Sequence, residues 1–319
     1  MFNYNKGIQI TGTSLWLDAH KAVDICCVSH GHMDHAKKHK QIIATHKTIR
    51  FHNHRIGNTQ ARTLAYHEPL EFDGCVVTLF PAGHILGSAQ IMVEVDGLRL
   101  LYSGDINIEK SATAEPIDIV ESNILIMECT YGKPTYQFPE RKVVEEQLLE
   151  FVEATFKQGA VPVVAGYALG KAQEAMKILG QAGYELSVHG SIALLANIYE
   201  EFGICFGRWE KYQKDQIEGK VLVVPPKAVR TRMIERIAKK RTVFLSGWAI
   251  NSGTKYRYGV HEALPLSDHA DFDGLMEYAR KVNPKKIYTT HGPEEFALYL
   301  RQLRFDAEPL KTASQLSLF

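Results

Sequence analysis

The first part of the chain alternates short apolar runs with turn residues. Residues 15–18, 24–29 and 75–81 each have the length and the β-branched or aromatic content of a strand. Residues 89–95 and 98–103 flank Asp96-Gly97, a pair that tolerates the left-handed backbone of a tight hairpin, and 124–129 is a further strand. Near residue 135 the period changes. Residues 141–157 place Val144, Leu148, Phe151, Val152 and Phe156 on one side, as an amphipathic helix does. Strands at 161–165, 186–189, 221–224 and 242–246 then alternate with helices at 171–179, 192–202 and 228–240. That alternation predicts a parallel, doubly wound sheet. After Trp248 the loop Asn251-Ser252-Gly253 leads to strand and helix patterns at 275–282, 287–290 and 293–303. The expected organisation is one α/β domain interrupted by a second, inserted one.

Composition changes this picture little. The 319 residues suggest two domains, and 45% hydrophobic with 23% charged residues is ordinary for a globular protein. The opening MFNYNKGIQI lacks the layout of a signal peptide, and no apolar run is long enough to span a membrane. The cysteines Cys26, Cys27, Cys75, Cys129 and Cys205 form no CxxC pair and read as reduced thiols, which places the chain in the cytoplasm. A net charge of +1 neither advertises nor excludes a nucleic-acid binder, because the placement of charge decides that.

The 14 histidines are the unusual feature. In Ser29-His30-Gly31-His32-Met33-Asp34-His35, four ligand-type side chains fall within six residues, after an apolar strand. On a loop they converge on one point, and neutral imidazoles with a carboxylate suit Zn²⁺. His52 and His54 form a second HxH pair, but inside an apparent helix they are expected to face solvent or a substrate edge.

This run resembles the HxHxDH motif of the metallo-β-lactamase fold, and the other stations of that fold follow in order. Asp18 in LWLDAH resembles its supporting aspartate, His84 in PAGHILGSAQ its third motif, Asp105 in LYSGDIN its bridging aspartate and His291 in YTTHG its last histidine. The resemblance implies two Zn²⁺ ions, with Mn²⁺ as an alternative. One would take His30, His32, His84 and Asp105, and the other Asp34, His35, Asp105 and His291. Asp34 is counted with the catalytic residues as well.

Glu128-Cys129-Thr130-Tyr131-Gly132 resembles motif A of the β-CASP nucleases, with Cys129 in place of the usual serine. Ser267-Asp268-His269-Ala270-Asp271 resembles motif B and Thr290-His291-Gly292 motif C. The implied fold is a metallo-β-lactamase αββα sandwich over 1–135 and 250–310, with a parallel-sheet β-CASP domain inserted at 136–249. The implied roles are proton donation to the leaving oxygen by His269 and orientation or charge stabilisation by Glu128. The turn at Gly170 and Lys171, with Ser267, is expected to touch substrate. The basic residues Arg230, Arg232, Arg236, Lys239 and Lys240 of 228–240 read either as a phosphate-backbone surface or as a solvated face.

The last residues, 311–319, end in QLSLF, similar to the peptide by which bacterial repair proteins bind the sliding clamp; Gln315, Leu316, Leu318 and Phe319 would make that contact. The alternative is a last strand packed on its own domain. The nearest resemblance is to ligase-associated DNA exonucleases of the β-CASP group, which implies a repair nuclease working beside a ligase or helicase, with DNA ahead of RNA as substrate. The alternative is an RNA-processing nuclease resembling ribonuclease J or the mRNA 3′-end cleavage factors. His291 at motif C accompanies RNA substrates in that family, but it is also found in the ligase-associated group. A non-catalytic scaffold is disfavoured by the complete ligand set. A lactonase- or glyoxalase-type hydrolase would lack the insertion and motif A.

Overall fold

The structure, a computed structural model, describes residues 1–311 and divides into two compact units. The first contains residues 1–110, 114–136 and the chain from His269; the second contains 137–268 with the short loop 111–113.

The first unit is built on two sheets. One has the strand order Phe2–Tyr4, Ile8–Ile10, Leu15–Leu17, Ile25–Cys27, Gln41–Ala44 and Gln60–Thr63. The other runs Ala307–Pro309, Lys286–Thr290, Ile124–Glu128, Leu98–Tyr102, Ala89–Val95, Cys75–Pro81 and Leu70–Phe72. The two-residue period of a strand decides what each face meets. Ile91 and Val93 join Ile10, Leu17, Cys27 and Ile43 in the core shared by the two sheets. Met92, between them in sequence, points the other way, into the layer with Leu275, Tyr278 and Ala279 of helix Phe272–Val282 and Leu300 of helix Phe296–Gln302. On the opposite side Ile49 of helix His46–Arg55 packs on Cys26, Ile42 and Ala44. These are the layers of an αββα sandwich. Each fully buried Leu, Ile or Phe contributes about 1.5–3 kcal/mol relative to exposure. Asp96 and Gly97 take φ of 48° and 75°, as the hairpin reading requires.

The second unit is a six-stranded sheet in the order Trp209–Lys211, Leu186–Val188, Val221–Val224, Val161–Ala165, Lys240–Leu245 and Glu262–Leu264. Every neighbouring pair is parallel, as the strand–helix alternation predicts. Strand Glu262–Leu264 pairs with Lys240–Leu245, so the chain leaves this unit after Asp268, not at 249. The three-residue strand is too short to stand out from its surroundings in the sequence.

The helix expected over 228–240 is broken. A 3₁₀ turn, Pro226–Arg230, is followed by a short helix, Arg232–Glu235, and Lys240 already starts a strand. Thr231 between them is extended, at φ −101° and ψ 158°. The five basic residues of this stretch therefore share no helix face. Among the described residues no helix is long and apolar enough to cross a membrane.

Candidate metal centre

The candidate ligand side chains leave strand ends of the first unit. His30, His32 and His35 follow strand Ile25–Cys27, His84 follows Cys75–Pro81, Asp105 follows Leu98–Tyr102, and His291 follows Lys286–Thr290. Loops there are not held by ladder hydrogen bonds, so cross-links must fix them. Asn107 N–H donates to Ala82 O at 3.0 Å and Ala89 N–H to Ser29 O at 2.8 Å. Arg55 Nη1 donates to Gly31 O at 2.9 Å, and buried His52 meets Lys37 O through Nε2 at 2.9 Å. His52 therefore braces the motif loop from helix His46–Arg55 and does not face solvent, whereas His54 is exposed.

His30, His32, His84 and Asp105 gather into one group. His30 Nε2 and His84 Nε2 lie 3.2 and 3.0 Å from His32 Nδ1, and 3.4 and 3.7 Å from Asp105 Oδ2. A tetrahedral zinc with bonds of roughly 2.0–2.2 Å has ligand atoms roughly 3.3–3.6 Å apart. Two Nε2 atoms aimed at one Nδ1 cannot all be satisfied by imidazole protons, so the donor set calls for a cation. His35, Asp105 and His291 form a second group. Asp105 Oδ1 is 3.3 Å from His35 Nε2 and 3.9 Å from His291 Nδ1. Asp105 thus offers one oxygen to each group.

Asp34 stands apart. It is exposed, and its carboxylate belongs to neither tight group, although the sequence reading makes it a ligand of the second ion. The chain turns at His32, whose carbonyl accepts from the N–H of His35 at 3.1 Å, and this swings Met33 and Asp34 outward. Burial pushes the Asp34 carboxyl up, but His35, His32 and a backbone N–H together outweigh it and hold Asp34 below the usual carboxylate range.

The surroundings fix the ring orientations. Asp18 sits in the left-handed region at φ 39°. It accepts from Ser29 N–H at 2.8 Å, Ser29 Oγ at 2.5 Å and Tyr102 Oη at 3.0 Å, and pairs with His35 Nδ1 at 2.7 Å. Ser29 Oγ also meets His30 Nδ1 at 2.9 Å. Both rings are therefore turned with Nε2 toward the donor group, as outer partners of metal-bound histidines turn them. Asp18 is thus hydrogen-bonded to both the motif loop and His35. Ser29 and Tyr102 were not singled out from the sequence: Ser29 adjoins the motif, and Tyr102 reads there as an ordinary strand aromatic.

Electrostatics separate the histidines. Burial and the neighbouring His35 hold His30 well below the usual imidazole range, so it is neutral. Burial also pulls His35 down, but Asp105 and Asp18 outweigh it and hold His35 well above that range. Without an ion His35 keeps its proton at neutral pH, and an incoming ion must displace it. Apparent zinc affinity is therefore expected to rise about tenfold per pH unit from about pH 6 to about pH 7, with His30 adding nothing to the slope. Calorimetry in buffers of different ionisation enthalpy would count about one proton released; a count of zero would remove His35 from the ligand set.

Beside the first group, Glu128 is fully buried and His269 partly so. Glu128 Oε1 accepts from Ile106 N–H at 2.8 Å and pairs with His269 Nδ1 at 2.9 Å. Its Oε2 accepts from Thr130 Oγ1 at 2.5 Å and Thr130 N–H at 3.2 Å. The His269 ring lies 4.5 Å from that of His84 and 5.9 Å from that of Tyr131. Asp271 caps helix Phe272–Val282 through Gly274 N–H at 2.8 Å, which anchors the segment carrying His269.

Motifs A and C interlock. Strands Ile124–Glu128 and Lys286–Thr290 pair in parallel, and Cys129 N–H donates to Thr290 O at 2.9 Å. Cys129 Sγ donates to Thr290 O at 3.3 Å, and burial pushes its thiol up to about 12, so it substitutes for serine as a neutral donor. A Cβ on Gly292 would lie 1.9 Å from Cys129 O. Gly292→Ala is expected to displace His291 and to cost at least the ~1–3 kcal/mol of an overpacked core. Thermal denaturation and zinc content would check this, and an unchanged second-ion affinity would contradict it.

The residues expected to touch substrate at the start of helix Lys171–Gln181 lie elsewhere, in the second unit. Lys171 is buried, with Nζ 3.2 Å from Asp268 Oδ1 and 4.0 Å from Glu174 Oε2. Gly170 N–H is taken by Gln173 Oε1 at 2.8 Å. Arg141 pairs with Glu174, and its Nη1 donates to Ser267 O at 3.1 Å. Lys171 and Gly170 are thus engaged inside the unit and do not present a charge or a free N–H to a strand. An unmatched buried charge is costly, so Lys171 turns to carboxylates. The tail residues Gln315, Leu316, Leu318 and Phe319 lie outside the described residues.

An αββα sandwich with imidazoles and a shared carboxylate at its strand ends carries a donor set that could hold metal ions. Residues 255–308 match the family described as RMMBL, Zn-dependent metallo-hydrolase RNA specificity domain. A protein named probable DNA ligase from Opitutus terrae is 35% identical over 320 residues, covering 99% of this chain and 31% of that protein. An RNase J-like protein from Methanocaldococcus jannaschii is 28% identical over 345 residues, covering 85% of this chain and 82% of that one. An endoribonuclease YSH1 from Eremothecium gossypii is 35% identical over 121 residues, 37% of this chain and 15% of its own length. By these matches the chain is similar to the β-CASP nucleases of the metallo-β-lactamase family, and it spans about a third of the length of the first of these relatives.

Proposed function

We propose that this chain is a two-metal phosphodiesterase acting on nucleic acid, a DNA exonuclease or end-processing nuclease of repair. The observation that carries the phosphodiesterase reading is Asp105, one oxygen toward each donor group, with the Glu128–His269 pair beside it. His30, His32, His84 and Asp105 would hold one zinc; His35, Asp105 and His291, with Asp34 as the movable fourth donor, would hold the other. When bound, such ions supply an activated water at neutral pH and a clamp for phosphate oxygens. The remaining work falls to protein groups. His269, held through Nδ1 by Glu128, presents Nε2 to the leaving oxygen. As the P–O bond breaks, that oxygen takes the Nε2 proton, and solvent then returns one to the ring. Glu128, anchored by Ile106 and Thr130, keeps the ring from rotating.

DNA as substrate is supported by the relative named a DNA ligase, which matches 99% of this chain within a longer protein. The RNA reading has its own support in the RNase J-like relative, matched over most of both chains, and in the RNA specificity domain. The test is incubation with end-labelled single- and double-stranded DNA and RNA in Zn²⁺ or Mn²⁺. The DNA reading predicts stepwise shortening of DNA from one end with RNA left intact; the reverse pattern would replace it with the RNA reading. The clamp contact proposed for Gln315–Phe319 predicts that deleting those residues abolishes binding to a bacterial sliding clamp and spares cleavage of short DNA.

A further inference from the structure

The second unit carries a surface that the metal chemistry does not use. Strands Val221–Val224, Val161–Ala165 and Lys240–Leu245 are parallel neighbours, so the segments that follow them leave one carboxyl edge of the sheet. In open α/β sheets that edge is where ligands bind. Here it presents rings. Tyr167 is 44% exposed, Trp248 39% and Tyr256 76%. The segments at this edge carry the cations Lys227 and Arg230 on the turn Pro226–Arg230 and Lys255 and Arg257 on helix Thr254–Tyr258, and residues 246–261 contain no acid. Lys255 Nζ is 5.1 Å from the Tyr256 ring centre, and Arg257 is 6.0 Å from that of Tyr258.

The rings are firmly mounted. Thr254 Oγ1 donates to Trp248 O at 2.6 Å, joining the turn Gly247–Ile250 to helix Thr254–Tyr258. Arg230 Nη2 donates to Arg257 O at 2.7 Å. Tyr258 stacks on Phe244 at 4.1 Å, and Phe244 lies 6.1 Å from Tyr167. Exposed aromatics on a rigid base, interleaved with cations as Lys255-Tyr256-Arg257-Tyr258, suit a ligand that is both a polyanion and a series of flat apolar faces.

We propose that this edge binds single-stranded nucleic acid. Bases stack on Trp248, Tyr256 and Tyr167, and Lys227, Arg230, Lys255 and Arg257 meet the phosphates. The inference rests on the nuclease reading and adds to it the form of the substrate. Only an unpaired strand can turn base faces to a protein ring, whereas a duplex keeps those faces stacked and offers its phosphates and base edges. Stacking is tolerant of sequence, so the surface does not select bases.

The test uses the full chain and the variants Trp248→Ala and Tyr256→Ala, with Trp248→Phe as the conservative control. Affinity for labelled oligo(dT), oligo(U) and a duplex is read by fluorescence anisotropy, and folding by thermal denaturation. Each alanine variant is expected to bind single strands about tenfold more weakly, the loss of one base stack, with duplex binding unchanged. Trp248→Phe is expected to retain most of the affinity. Lys255→Gln and Arg257→Gln are each expected to lower the single-strand salt slope by about 0.7. Unchanged single-strand affinity in folded alanine variants would overturn the proposal, as would a change in oligomeric state with binding intact, which would make the patch a protein contact. Cleavage of bis(p-nitrophenyl) phosphate by the unmodified chain is read in parallel. If that diester and the nucleic acids are cleaved while the ring variants bind normally, the surface is wrong and the nuclease reading stands. If no diester is cleaved while the ring variants lose binding, the reverse holds.

Discussion

Asp105→Ala is expected to abolish activity and to leave the chain with at most one weakly held ion. The carboxylate offers one oxygen to each imidazole set, at 3.4 Å from His30 Nε2 and 3.3 Å from His35 Nε2. Removing it also strips His35 of the largest influence that raises it against burial. Withdrawing the several kcal/mol that bound ions contribute to a charged transition state lowers the rate by more than about 10³-fold, at about 1.4 kcal/mol per factor of ten. Elemental analysis alongside a cleavage assay would check both halves. Asp34→Ala is expected to be milder, because Asp34 lies outside both tight groups. Equal losses for Asp34→Ala and Asp105→Ala would mean that Asp34 closes onto the second ion in the working enzyme.

His269→Ala is expected to lower kcat by about 10²–10⁴-fold with zinc content and KM little changed. His269 belongs to neither of the two metal groups assigned above, and its Nδ1 is occupied by Glu128 at 2.9 Å. In the proposed mechanism its remaining nitrogen is the proton donor. The defect should shrink on diesters with an acidic leaving group such as p-nitrophenol, which departs without a proton. Glu128→Gln keeps a hydrogen-bond partner but loses the countercharge, and is expected to fall between wild type and His269→Ala. A His269→Ala variant that loses zinc instead would make the residue a support of the metal group.

The candidate donors His30, His32 and His35 were legible in the sequence because their spacing is local and they share one loop. Asp105 and His84 needed the family pattern, since nothing near them in the chain marks them as neighbours. Asp34 shows the limit of spacing. A motif says which residues adjoin, but the turn at His32 decides which of them faces inward. Lys171 misled for a related reason. A lysine at a glycine turn resembles a phosphate contact, yet Asp268 and Glu174, distant in sequence, enclose it. His52 was misread because a surface helix and a brace for a loop share one local pattern, and its partner is the carbonyl of Lys37. The break at Thr231 was hidden because Val229, Met233, Ile234 and Ile237 keep helical spacing across it. The long amphipathic helix Arg141–Lys157 and the strands of the parallel sheet stood out, since burial on one or both faces imprints the period directly.

The most direct measurement is metal-reconstituted cleavage. The chain is stripped with chelator and supplied with Zn²⁺ or Mn²⁺, with Asp105→Ala treated alike, and the cutting of end-labelled DNA and RNA is followed. A two-metal nuclease built on Asp105 regains cleavage on adding the ion to the unmodified chain and not to the variant. Cleavage that survives in the stripped chain, or that returns equally in Asp105→Ala, would contradict it.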